Sequence, residues 1–511
     1  MTAAPALVLP ALLNLYLALS AGSPRLNGRA TSTAPPSPGS TDGGARARPW
    51  QFHVAPMQGY TSLSLRRLYR LLSPDAVLWT EMEKAGDLLS LDGSGWERRL
   101  GPPPGDGGTI LQIGGSDPAT VADCVERASG AYGYDGLRGF DLNCGCPSIV
   151  SGGSSEYGAS LMRKPGLTAD IVSAMREAAP SGASVSVKTR IAAFDSADDY
   201  ASSCAGGFGE EGVEWEEEGK GICYADLKNY ISGIGEGADD GGGGADHVVL
   251  HARPAVLSGL SPAKNRAVPT LNYNIVSRAA ADFPDLRITL NGGVRGMSDL
   301  ESMLSPTAPA GVKEESRDVE SRRPSAVGPC LPGAVASHMA GRWMLRRPLD
   351  LARVQSRFLS GTDFSSRSGA VAGSGRSYEL KALEDYIESV LRTVSSLKSA
   401  SNPPLAELLL PIYLVLEQLR EDHAFYEDGS RNDGDGCGWT PHLTAEDIKI
   451  MYGVISDGMM RLEEFSDGGR SKGKSKVPSR DCLHFKKLSA SFKGFVGTKV
   501  VNKWKRNRAE L

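Results

Sequence analysis

The stretch NCGCPSIVSGGSSEYGASLM, from Asn143 to Met162, places two cysteines one residue apart, a proline that stops a strand, and a Gly/Ser-rich loop ending near Ser160. A thiol with a reference pKa of about 8.5 can give up a proton near neutrality, whereas a serine hydroxyl is a far weaker acid. Which of Cys144, Cys146 and Ser160 meets a substrate therefore decides what the segment can do. The eight cysteines of the chain include no C-x-x-C pair, so no zinc site or other metal is expected. A chain of 511 residues does not need disulfide staples, and most of its cysteines read as reduced and structural.

Other polar groups stand just past short apolar runs. Pro56 and Met57 close the first, Gln112 stands in LQIGG, and Asn143 opens NCGCPS. Lys188 and Arg190 end VKTR, His251 and Arg253 end LHAR, Asn291, Gly292 and Gly293 form NGG, and Gly341 and Arg342 belong to AGR. Taken singly, the glycines read as turn residues and Lys188 as an ion-pair lysine. Taken together and in order, they describe one site. Glycine backbone after the seventh run and a Gly–Arg after the eighth can cradle a phosphate. Lys188 can face an electron-poor ring, and Gln112 and Asn143 can bond a ring edge bearing donors and acceptors. A phosphate at one end and a flat polar heterocycle at the other is the outline of flavin mononucleotide (FMN).

The elements that must position these groups alternate. Candidate strands are FHVA, AVLW, TILQI, GFDLN, SVSVKT, HVVLHA, RITLNG and AVASHMAG, with amphipathic helices such as DPATVADCVERAS, capped by Asp117, between most of them. Eight strand–helix units over roughly 300 residues predict a (β/α)8 TIM barrel, whose functional groups gather at strand ends. A doubly wound sheet is the weaker alternative, since no G-x-G-x-x-G follows a strand. The barrel is expected over 49–350, with inserted loops near 203–221, 235–245 and 305–330. A linker is expected over 351–377, and an α-helical bundle domain over 378–511.

Within that bundle, PPLAELLLPIYLVLEQLRE is apolar nearly all round and reads as a buried helix kinked at Pro411. Its Glu407 and Glu417 argue against a membrane span, and no stable membrane association is expected. Thr444 reads as the N-cap of the next helix. Residues 1–48 hold a 14-residue apolar run, no acid before Asp42, and a Ser/Thr/Pro/Arg-rich stretch. They read as a targeting segment for a plastid or mitochondrion. From Arg470 onward the chain carries 13 basic and two acidic residues, against a net charge of −4 for the whole. A basic arm on an acidic body suits a polyanion. Lys499, Lys503, Lys505, Arg506 and Arg508 could bind phosphates while Phe492, Phe495 and Trp504 stack on bases. Trp504 also reads as a residue packed on the bundle.

The chain resembles the tRNA-dihydrouridine synthases, most closely their A-type branch. The resemblance rests on VAPMQGYTSLSLRRLYRLL, LQIGGSDP, FDLNCGCPS, YGASLMRKP, VKTRI, LHARPAVLSGLSPAKNRAVPTLNY, FPDLRITLNGGV and AGR, and runs from about Gln51 to Arg342. It implies FMN as cofactor, NADPH as reductant, tRNA as substrate and a helical tRNA-binding domain; a monomer is expected. It places Pro56, Met57, Gln112, Lys188, His251, Asn291, Gly292, Gly293, Gly341 and Arg342 against the flavin, and Asn143, Lys188, Arg190 and His251 around uracil. Lys264 and Arg266 would meet the tRNA backbone. The resemblance puts the proton donor in the GASLM stretch, where this chain has Ser160 and a cysteine is expected. Three readings follow: Ser160 relays a proton from water or His251; Cys146 or Cys144 substitutes; or the protein binds flavin and tRNA without turnover. An FMN barrel oxidoreductase acting on a small molecule is the remaining alternative.

Overall fold

The computed structural model describes residues 49–103, 105–147, 157–204, 224–235, 244–261, 263–304, 335–360, 377–396, 403–428, 442–466 and 483–509. The expected targeting segment 1–48 and most of the inserted loops lie outside them.

Ten strands form in chain order. They are β1 Gln51–Val54, β2 Glu83–Lys84, β3 Thr109–Gly114, β4 Leu137–Cys144, β5 Ser184–Arg190, β6 Ala193–Phe194, β7 His247–His251, β8 Ala255–Val256, β9 Arg287–Asn291 and β10 Ser337–Ala340. Eight make one sheet in the order β1-β10-β9-β7-β5-β4-β3-β2, and all its pairings are parallel. The expected strand AVLW appears as a bridging segment instead of a full ladder. His53 bridges to Val77 and Trp79 to Ile110, with Val77 N donating to Phe52 O at 2.9 Å and Ile110 N to Leu78 O at 2.9 Å. This segment joins β1 to β3 and closes the barrel, as the eight-unit pattern predicts. β6 and β8 pair separately.

Barrel-side helices are α1 Leu63–Leu72, α2 Ala85–Leu89, α3 Gly93–Leu100, α4 Pro118–Gly136, α5 Pro165–Ala178, α6 Ala197–Cys204, α7 Tyr224–Gly235, α8 Tyr273–Asp282 and α9 Met297–Leu304. Asp117 caps α4 through Thr120 N at 3.0 Å, as its position predicts. Ala55, Val77, Trp79, Ile110, Val249 and Met339 are buried together and fill the barrel interior. Side chains of β5 alternate, so Ser186, Lys188 and Arg190 share one face.

After β10 come α10 Arg342–Arg346, α11 Asp350–Val354, α12 Tyr378–Ser395, α13 Leu405–Asp428, α14 Ala445–Ser466, α15 Phe485–Val496 and α16 Thr498–Ala509. α13 keeps Pro411 inside it and buries Leu409, Tyr413, Val415 and Leu416 completely, as its all-round apolar pattern requires. Thr444 and Asp447 cap α14 reciprocally, Asp447 N donating to Thr444 Oγ1 at 3.1 Å and Thr444 N to Asp447 Oδ2 at 3.0 Å. No helix among the described residues is long and apolar enough to cross a membrane.

One apolar cluster runs from Phe52 and Tyr69 of the barrel into Tyr386, Tyr452 and Trp504 of the helices. The described residues from Pro49 onward belong to a single compact unit. The start of the expected linker is accordingly ordered: α11 falls there, Leu351 and Val354 are fully buried, and Gln355 Oε1 accepts from Ser73 Oγ at 2.6 Å. Residues 361–376 lie outside the described part.

Candidate active site

The strand ends open into a cleft of about 2840 Å³, whose other wall is made by α13, α15 and α16. Register brings the polar residues of neighbouring strands side by side. Gln112 lies opposite Asp141, Asn143 opposite Lys188, Arg190 opposite His251, and His251 opposite Asn291. All but Asp141 line the cleft.

Asn143 is the hub of the first group. Its Nδ2 donates to Gln112 Oε1 at 2.9 Å, and its Oδ1 accepts from Gly145 N at 3.2 Å and Cys146 N at 3.0 Å. This is an Asx-type turn, and it fixes the backbone that carries Cys146. Gln112 is oriented in turn by Asp141, to which its Nε2 donates at 2.8 Å, while Ser186 Oγ donates to the other carboxylate oxygen at 2.8 Å. Burial pushes the Asp141 carboxyl up to about 7, against the pull of these two hydrogen bonds. Asp141 escaped the sequence reading. Its signal was one acid inside the apolar run GFDLN, two residues before Asn143 and so on the same strand face.

The two halves of the NCGCPS…YGAS stretch are placed differently. Cys144 is fully buried, and burial pushes its thiol up to about 12. Cys146 lines the cleft. Ser160 is not among the cleft-lining residues; it is buried, and its Oγ donates to Tyr157 O at 3.1 Å. The loop returns so that Ala159 N donates to Cys146 O at 2.9 Å. Gly158 permits this closure: its φ is +77°, and a Cβ there would come within 2.6 Å of Cys146 O. Ala159 thus braces the turn of Cys146. The sequence reading centred on Ser160, and the geometry directs attention to Cys146.

Lys188 lines the cleft, and its ammonium makes no hydrogen bond or ion pair among the described residues. Burial and the Arg190 charge pull it down to about 8, while Asp141 and Cys146 push it back up. His251 is held well below its ordinary range by burial, with the charges of Arg190, Lys188, Arg253 and Arg342 adding to the effect. It is neutral near pH 7 and is a poor proton source. Arg190, expected beside a substrate ring, is 3% exposed and engaged with backbone. Its Nε donates to Gly145 O at 3.0 Å, and its Nη1 to Pro254 O and Asn265 O at 3.1 Å. It staples three strand-end loops together beside Cys146.

Opposite lies the glycine-lined part. Gly292 and Gly293 have φ of +104° and +81°. A Cβ at Gly292 would approach His251 Cδ2 to 2.7 Å, and one at Gly293 would reach Tyr273 Oη at 1.8 Å. Asn291 Nδ2 donates to Met339 O at 3.0 Å, which ties β9 to β10. Gly341 packs against Met57, where a Cβ would stand 3.1 Å from Sδ. Pro56, Met57, Gly341 and Arg342 all border the cleft. Gly293→Ala is therefore expected to clash with Tyr273 and to strain the backbone, at about 1–3 kcal/mol. A melting curve of the purified protein checks this; an unchanged midpoint would contradict it.

Of the two residues expected on an RNA backbone, Arg266 borders the cleft and is exposed, whereas Lys264 is exposed but outside its lining. In the basic end, Lys486, Lys493 and Lys505 face the cleft. Phe492 and Trp504 are buried against Tyr413, with ring centroids 5.4 and 5.1 Å away, so they serve the core and cannot stack on bases.

A family model described as dihydrouridine synthase matches residues 53–212 and 234–313. The chain is 36% identical over 254 residues to a tRNA-dihydrouridine(20/20a) synthase of Pseudomonas putida, covering 50% of this chain and 63% of that protein. It is 36% identical over 269 residues to the like-named protein of Pseudomonas syringae, covering 53% and 67%, and 36% identical over 255 residues to that of Escherichia coli strain K12, covering 50% and 62%. The chain thus spans about two thirds of the length of the curated relatives it matches. The matched region contains the strand-end residues of β1 to β9 that build the cleft. With these matches and the closed barrel in agreement, the chain belongs to the dihydrouridine synthase family.

Proposed function

We propose that this protein is an FMN-dependent tRNA-dihydrouridine synthase that reduces uridine to 5,6-dihydrouridine in tRNA, with NADPH as the electron source. The observation that carries the reading is the pairing, past the ends of β4 and β5, of the Cys146 thiol and the Lys188 ammonium, which has no partner among the described residues, in one cleft. The names of the relatives support the substrate.

The residues present fit FMN. The backbone at Gly292, Gly293 and Gly341, kept free of Cβ atoms, and the Arg342 guanidinium would hold its phosphate. Lys188 would stand by the electron-poor end of the ring, with Gln112, Asn143 and His251 along its edge and Pro56 and Met57 nearby. Bound and reduced, the flavin supplies the hydride that C6 of uracil accepts. Cys146 then delivers a proton to C5 from a turn that Asn143 holds in place. Arg190 keeps the loop of Gly145 against those of Pro254 and Asn265.

The alternative, a protein that binds flavin and tRNA without turnover, rests on serine at position 160; Cys146 in the cleft supports turnover instead. Arg266, Lys486, Lys493 and Lys505 on the cleft walls suit a polyanion. Import into a plastid or mitochondrion belongs to the same proposal, on the N-terminal stretch, which bears Arg and Ser and has no acid before Asp42.

Ser160→Ala is the discriminating variant. It removes one neutral hydrogen bond to Tyr157 O, costing about 0.5–1.5 kcal/mol of stability, and should leave uridine reduction within about threefold of wild type, since general acid catalysis is worth about 10²–10⁴. Dihydrouridine counted in unmodified tRNA after incubation with NADPH reads this out. A loss of a hundredfold or more would return the proton donor to Ser160.

A further inference from the structure

The family model ends at residue 313, yet the turn expected to hold the cofactor phosphate, Gly341–Arg342, lies beyond it at the start of α10. α10 has five residues, too few to be stable unaided. Its conformation must come from what it touches. Trp343 Nε1 donates to Asp350 Oδ2 at 2.8 Å, and Tyr69 Oη donates to Met344 O at 3.0 Å. Arg347, just past its end, pairs with Asp350 at 3.1 Å and with Asp422 of α13 at 2.8 Å.

The last fastening comes from the far end of the chain. Arg508, near the end of α16, donates through Nη2 to Arg346 O at 3.0 Å, the final carbonyl of α10. Its Nη1 pairs with Glu421 of α13 at 2.8 Å. The side chain is 8% exposed. A cation at a helix C-terminus satisfies carbonyls that have no partner in the helix and opposes their partial negative charge. The carboxylate of Glu421 also lies 3.8 Å from Arg346 Nε, so one acid links both arginines. The sequence suggests Arg508 as one more phosphate-binding cation of the tail. In the fold it borders the cleft, but its two terminal nitrogens are taken by Glu421 and the end of α10.

We infer that Arg508 is a positioning residue for the phosphate-holding turn: the C-terminal helix, through Arg508 and Glu421, clamps α10 so that Gly341 and Arg342 present a preformed phosphate site. This rests on the flavin reading above. Loss of the clamp should weaken binding of the phosphorylated cofactor and leave binding of the ring alone unchanged.

The test is a fluorescence titration of full-length, flavin-stripped protein with FMN and, separately, with riboflavin, which lacks the phosphate. Wild type, Arg508→Ala and Arg508→Lys are compared. The expected result is an FMN Kd raised about 5- to 10-fold in Arg508→Ala, from loss of a partly buried helix-terminal cation, with the riboflavin Kd unchanged and Arg508→Lys recovering most of the difference. Hydrogen exchange of the flavin-stripped proteins gives a second reading without ligand: amides of 342–347 should exchange faster in Arg508→Ala, with those of β9 unaffected. An unchanged FMN Kd, or equal rises for FMN and riboflavin, would overturn the clamp while leaving the flavin site standing. Wild-type protein that binds neither flavin would remove the flavin reading itself.

Discussion

Cys146→Ala is expected to slow dihydrouridine formation by about 10²–10⁴-fold, the usual worth of a general acid, while the flavin stays bound and NADPH still reduces it. The expectation follows from placement. Cys146 stands on a turn that Asn143 fixes through two backbone N–H bonds, in the cleft, beside the charges of Lys188 and Arg190. Cys146→Ser should lose nearly as much, since the hydroxyl fits but is a far weaker acid than a thiol of reference pKa about 8.5. Adding Ser160→Cys should rescue neither, because position 160 is not part of the cleft lining. Single-turnover reoxidation of reduced flavin by tRNA measures all four proteins. Wild-type rates in Cys146→Ala would remove Cys146 from the chemistry.

Lys188→Met should also be costly, at about 10²–10³-fold in the hydride step, by comparison with removing one preorganised donor from a developing negative charge. Lys188 has no ion-pair or hydrogen-bond partner among the described residues to hold it. Its charge is therefore available to a ring placed in the cleft. The same residue sets a pH limit. Burial first, then Arg190, brings the ammonium down to about 8. The charged form dominates below that value and is lost as pH rises through it. Turnover that depends on the charge should fall tenfold per unit above pH about 8. In Lys188→Met the residual rate should lack that limb. A wild-type profile flat to pH 10 would contradict this role.

Much of the barrel was legible because each strand is a short apolar run ending in a polar or glycine residue, and burial on both faces demands that composition. Seven of the eight expected strands form ladders, and AVLW closes the barrel by isolated bridges at Val77 and Trp79. Gln112, Lys188, His251 and the Gly292–Gly293 turn were found from strand-end position alone, and all line the cleft. Cys146 and Ser160 were harder. Both follow glycine-rich local sequence, and that Cys146 rather than Ser160 lines the cleft comes from the tertiary packing of their segments. Arg190 borders the cleft, but its carbonyl partners were not legible, because only the tertiary fold brings Pro254 and Asn265 within its reach. Phe492, which reads as a base-stacking residue, instead meets Tyr413 edge to face, whereas Trp504 packs on the bundle as expected. Long-range partners of this kind leave no local trace.

The most direct measurement mixes wild-type protein, its flavin reduced by NADPH and excess reductant removed, with unmodified tRNA in the absence of oxygen. The account expects flavin reoxidation in a single turnover, with two hydrogens appearing on one uridine per flavin oxidised. Reduced flavin that persists in the presence of bound tRNA would contradict it.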